Sequence, residues 1–170
     1  MRASAREFGS APQRLRRGDR KGNMKARIRW IEGVSFAAET GSGHAVVVDG
    51  APEAGGRNLG PRPMELVLAG AAACTAFDVV WILNKARQPV ADCVVEAEAD
   101  RAEVEPKVFT AIRLTYRVAG RGLDARQVER AVNLSKEKYC SATIMLGRTA
   151  VVTARVEIIE GDRVPAPAPR

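Results

Sequence analysis

One stretch limits what this chain can fold into more than any other: Pro63 to Pro89, PMELVLAGAAACTAFDVVWILNKARQP. Pro63 suits a first helical position, where a missing N–H costs nothing, and Pro89 cannot continue a helix. The composition between them predicts one long helix. Apolar residues fall on nearly every side of it, the pattern of a helix buried all round. Its middle, Ala69 to Cys74, has side chains small enough for another backbone to come close. Leu66 to Leu83 approaches the length of a membrane span, but Asp78 interrupts it and its Ala/Gly content keeps it weakly hydrophobic, so a membrane span is not expected.

At 170 residues with 46% hydrophobic content the chain suits a single domain with an ordinary core. Its three cysteines, Cys74, Cys93 and Cys140, lie far apart with no CxxC pair. They form neither a disulfide framework nor a zinc cluster, and a reducing cytoplasm is the expected compartment. Taken singly, each thiol reads first as a small buried hydrophobe. The one histidine, His44, at a strand entrance, reads as a solvated edge residue and argues against a structural zinc site or a Ser-His-Asp hydrolase. The net charge of +7 is concentrated: residues 1–23 carry seven Lys/Arg against two acids, and so five of the seven positive charges. Basicity confined to a tail makes nucleic acid an unlikely partner of the fold.

Residues 1–23 are Arg-rich and without periodicity, and are expected to be a disordered basic extension. They hold no apolar core of the length a secretory signal needs. From Lys25 the pattern alternates through Ile28 and Trp30, bends at Gly33, and continues through Val34 and Phe36, as half-buried strands require. His44 to Asp49 returns as a third strand, and the Gly/Pro-rich residues 50–62 form a loop leading to the helix. Beyond Pro89, Cys93–Ala102 and Val108–Val118 alternate as a hairpin. Asp124 and Gln127 make a capping-box signature opening a second helix, with Val128, Ala131, Val132, Ser135 and Tyr139 on its inner face. That helix ends near Cys140, Ile144–Leu146 reads as an apolar connection, and Ala150–Ile159 as a last strand. The folded domain is therefore expected over 24–160, with a disordered Pro-rich tail over 161–170. The order βββ, α, ββ, α, β predicts an α+β fold with mainly antiparallel sheets wrapped around the central helix. A helix apolar on all sides needs more cover than one small sheet gives, which predicts a homodimer.

The helix motif PMELVLAGAAACTAFDVV, the distant EKYCSA and the grouping of strands together resemble the OsmC/Ohr family of osmotically induced and organic hydroperoxide resistance proteins. The likeness runs from about Met24 to Ile159 and is nearest to a branch with RWIEG, CTAFDVV and EKYCS motifs. It implies an intertwined homodimer and a thiol peroxidase acting on small-molecule or lipid hydroperoxides in oxidative stress defence. No metal or flavin would be needed; an external dithiol would be the reductant. By position Cys74 matches the attacking cysteine and Cys140 the resolving one. Just past a helix C-terminus, Cys140 is expected to feel carbonyl ends that raise a thiol pKa, which suits a resolving role.

Two departures from the family pattern bear on activity. The family's activating Glu follows the helix-opening proline, where this chain has Met64; Glu65 is displaced by one and falls on the opposite side of a regular helix from Cys74. The family's activating Arg has no match between Glu39 and Val48. Asp78, one turn beyond Cys74, adds a like charge: at about 6 Å and an effective dielectric of about 20 the repulsion is roughly 3 kcal/mol, about two pKa units. A reactive Cys74 thus calls for a cation beside it or beside Asp78, with Arg62, Lys85, Arg87 and Lys138 as candidates. A protein of this fold that lost the activating Arg and Glu and kept an apolar pocket for a small ligand is the alternative.

Overall fold

The computed structural model describes residues 24–166. The expected disordered extension 1–23 and the end of the expected tail, 167–170, lie outside them. The chain divides into two compact units, Met1–Pro63 and Met64–Arg170.

The first unit is an antiparallel meander of β1 (Ala26–Glu32), β2 (Ser35–Thr40) and β3 (Ala45–Val48), in spatial order β1-β2-β3. Gly33 takes a left-handed φ of 50° at the bend between β1 and β2, where a side chain would be strained. Asp49 anchors the following loop: its carboxylate accepts from Ser35 Oγ at 2.7 Å and from the backbone N–H groups of Gly50, Arg57 and Leu59 at 2.9 to 3.0 Å. Those donors hold its carboxyl well below the usual range, at about 2. Ile28 and Trp30, expected on a half-buried strand, stand 60% and 66% exposed, because no second layer covers them within the unit. His44 is exposed, with Nδ1 at 3.1 Å from Ser42 Oγ.

The second unit is built on α1 (Pro63–Lys85), whose start agrees with the proline rule. It ends four residues before Pro89: Arg87 adopts a left-handed φ of 57°, and the Gln88 N–H closes back on the Leu83 carbonyl at 3.0 Å. The helix is not buried all round within one chain. Ala71, Ala72, Thr75, Val79 and Leu83 are buried, while Phe77 and Trp81 are 70% and 48% exposed. By length and hydropathy α1 could cross a membrane, against the expectation of a weakly hydrophobic segment; Val79 and Leu83 belong to a core shared with the sheet.

That sheet has the order β4-β5-β6, from β4 (Val90–Arg101), β5 (Phe109–Gly120) and β6 (Val151–Glu160). β4 and β5 are an antiparallel hairpin, and β6 lies parallel to β5 after a crossover. Alternation along β5 sends Ile112, Leu114, Tyr116 and Val118 into the core, against Val128, Ala131 and Val132 of α2 (Ala125–Leu134). Asp124 caps α2 through the Arg126 N–H; its own N–H goes to Gln88 Oε1, so the capping box with Gln127 is not formed. The expected second helix does not run on regularly to Cys140. A π-helical turn (Ser135–Tyr139) follows α2, and the expected connection after Cys140 is a short helix, α3 (Ser141–Leu146). Of the expected tail, Asp162 pairs with Arg121 and the Val164 N–H donates to Asp92.

Candidate functional site

The site lies where α1 meets the turn between α2 and α3. The π-helical turn ends with the Cys140 N–H donating to the Ser135 carbonyl five residues back, at 2.8 Å. The wider turn leaves Tyr139, expected inward, 47% exposed and sends Cys140 into the core at 0%. Cys140 then N-caps α3, its sulfur accepting the Thr143 N–H at 3.5 Å. Cys140 stands just past a helical C-terminus, as expected, and its sulfur also meets the start of α3, a field of opposite sign that the sequence reading did not include.

Cys74, half-buried on α1, reaches the same place from the other side. Cys140 and the backbone of Ala142 are close enough to act on its thiol. Burial pushes the Cys74 thiol up, and the neighbouring Cys140 and the Asp78 charge push the same way; the Ala142 backbone opposes them. Both are free thiols. Cys93 stands apart on β4, packed against the core, its thiol pushed up to about 11 by burial and by Asp92.

Asp78 is met differently from the sequence expectation. Two of the proposed cations are engaged with rings: the Lys85 ammonium lies 3.7 Å from the centre of Trp81, and that of Lys138 5.5 Å from the centre of Tyr139. What Asp78 Oδ2 receives is a hydroxyl, that of Ser135, at 3.0 Å. Ser135 is itself 2.8 Å from Thr75 Oγ1, which is 2.7 Å from the Tyr116 hydroxyl. Each hydroxyl has one proton to give. Ser135 gives its own to Asp78 and so accepts from Thr75; Thr75 accepts from Tyr116. The result is a one-way relay, Tyr116 to Thr75 to Ser135 to Asp78, with all three hydroxyl residues fully buried. Burial pushes the Tyr116 phenol up to about 12, so it stays a donor at neutral pH. Sequence reasoning missed this relay. The available signal was three hydroxyl side chains at core-facing positions, which read equally well as small or aromatic packing.

Comparison with known proteins agrees with the fold. A family model described as OsmC-like protein matches residues 55–155. The chain is 45% identical to the protein YhfA of Escherichia coli (strain K12) over 136 residues, 80% of this chain and 98% of YhfA. A crystal structure of a hypothetical protein from Aquifex aeolicus VF5 superposes with a TM-score of 0.72 at 27% identity, over 82% of this chain and 98% of that one. The organic hydroperoxide resistance protein OsmC of Legionella pneumophila shares the fold, with a TM-score of 0.61 at 20% identity over 81% and 98% of the two chains.

Proposed function

This chain belongs to the OsmC-like protein family, and from that premise we propose that it is a two-cysteine thiol peroxidase reducing organic hydroperoxides. What supports the reading is that Cys140 lies close enough to act on the Cys74 thiol, two cysteines from separate elements. Cys74 is the accessible one and attacks; Cys140, at 0% exposure, waits beneath it. The Cys74 thiolate attacks one peroxide oxygen, forming an S–O bond as the O–O bond breaks and an alkoxide leaves, to be protonated to the alcohol. The Cys140 thiol then attacks the sulfenic sulfur, forming a disulfide and releasing water. An external dithiol reduces the disulfide by exchange, in a reducing cytoplasm.

A homodimer goes with this reading. Gly70, Ala73, Phe77 and Trp81 form an exposed stripe along α1, next to Cys74, that a second copy would cover. Light scattering at micromolar concentration is expected to give twice the chain mass; a monomer argues against it. The activity is tested by thiol titration of the reduced protein before and after stoichiometric cumene hydroperoxide. Two thiols per chain are expected to disappear, and no disulfide to form in Cys74→Ser. Unchanged thiols in the wild type reject the peroxidase reading. The upward push on the Cys74 thiol favours a second reading, a small-ligand-binding protein of this fold. Peroxide-inert protein that copurifies with an acyl compound would support it.

A further inference from the structure

The buried relay is unused by the cycle just described. Three hydroxyls held at 0% exposure inside an apolar core are an expensive way to fill space, since apolar residues of similar shape need no partners there. Their protons all point toward one carboxylate, Asp78. Asp78 stands one helical turn beyond Cys74, where residues four apart are neighbours. A thiolate beside a carboxylate places two negative charges together. A thiol beside a carboxylate, or a thiolate beside a carboxylic acid, carries only one.

We infer that Asp78 carries the proton of the Cys74 reaction, taking it from the thiol and delivering it to the alkoxide that leaves the peroxide. This rests on the peroxidase reading and assigns that site its acid and base. The balance is closed. The proton leaves Cys74 Sγ for the Asp78 carboxylate; the thiolate forms its S–O bond as the O–O bond breaks; the proton passes from Asp78 to the departing oxygen, giving the alcohol and restoring the carboxylate. Oxidant and reductant are those of the cycle itself, the hydroperoxide and the thiol. Ser135, Thr75 and Tyr116 are positioning residues: Ser135 fixes one carboxylate oxygen, and the two behind it fix Ser135.

Two electrophiles separate this role from a purely electrostatic one. Iodoacetamide consumes thiolate and releases iodide, which needs no proton; a hydroperoxide releases alkoxide, which does. The full-length reduced wild type, Asp78→Asn, Ser135→Ala and Ser135→Thr are reacted at neutral pH with iodoacetamide and, separately, with cumene hydroperoxide. Removing the Asp78 charge relieves the thiol, so alkylation of Asp78→Asn is expected to quicken severalfold, which also shows that the variant is folded and its thiol reachable. Its peroxide reaction is expected to slow by about 100-fold, the scale of general acid–base catalysis. Ser135→Ala is expected to slow the peroxide reaction severalfold at unchanged alkylation, and Ser135→Thr to restore it. Asp78→Asn speeding both reactions together overturns the inference while the peroxidase reading stands. A wild type inert to peroxide overturns both.

Discussion

The relay makes a thermodynamic prediction whose sign is unusual. Thr75→Val keeps the side-chain shape and removes the middle hydroxyl, leaving the Tyr116 O–H buried at 0% with nothing to accept it and Ser135 without its donor. The orphaned phenol costs about 1–3 kcal/mol and the lost bond to Ser135, which still reaches Asp78, about 1 kcal/mol more, so the variant should lose roughly 2–4 kcal/mol. Tyr116→Phe alone removes one end of one 2.7 Å bond and should cost about 1 kcal/mol. Combining them removes the orphaned phenol, so adding Tyr116→Phe to Thr75→Val should stabilise the protein by about 1 kcal/mol. The assay is urea unfolding of the four proteins at one fixed concentration, read as a double-mutant cycle. If Tyr116→Phe destabilises equally in both backgrounds, the two hydroxyls are not coupled and the relay argument fails.

Asp49 predicts an acid transition in the first unit. Its folded carboxyl lies at about 2, below the ordinary 3.8, so its contribution is complete above 3.8 and lost as pH falls from there toward 2. Asp49→Asn should lose stability at neutral pH and show a flatter acid limb in urea midpoints; an unchanged limb refutes the assignment. Arg87 occupies a left-handed conformation that glycine adopts without strain, so Arg87→Gly should stabilise by about 0.5–1 kcal/mol and raise the thermal midpoint. Cys93, at about 11, should resist iodoacetamide at neutral pH in the native protein, with Cys74 alkylated first by mass mapping. Joining Cys74 to Cys140 would close a long loop, and the oxidised protein should gain up to about 4 kcal/mol against denaturant; a lower midpoint on oxidation would show that closure strains the fold.

Much of this architecture was legible because its signals are local and repetitive. Alternation placed β4, β5 and β6 within about three residues, and Pro63 marked the start of α1. Where the signal was short or depended on a partner, sequence reasoning stopped. α3 has six residues, too few for a period of 3.6 to show, so Ile144–Leu146 read as a connection. The π-helical turn uses ordinary helix-compatible residues, and nothing in SKEKY announces a wider turn. The proposal that Cys74 and Cys140 act together comes from family resemblance and not from spacing, because nearness of distant elements leaves no periodic trace. The surroundings of Asp78 were not legible for a different reason. The sequence reading asks for a cation beside Cys74 or Asp78 to make the thiolate possible, and nothing in it points to the hydroxyl chain that meets this carboxylate.

Helix geometry explains how a half-buried thiol and a buried hydroxyl chain, the two parts of the proposed chemistry, can share one site. A peroxide-reducing thiol has to be reached from solvent, while a directional chain of hydroxyls has to be kept from water, which would satisfy its members in any direction. Successive residues on a helix are 100° apart, so Cys74 can sit half-buried at the border of the exposed stripe while Thr75 points fully inward. Position 78 is four residues from the first and three from the second, the two spacings at which helical side chains are neighbours. It is therefore within one turn of both the thiol and the hydroxyl chain, and it carries the carboxylate. The turn across from it repeats the arrangement: Ser135 serves the hydroxyl level, and Cys140 with the Ala142 N–H serves the sulfur level. One motif on α1 and one between α2 and α3 thus meet twice, once dry and once accessible, and Asp78 is the residue that links the two.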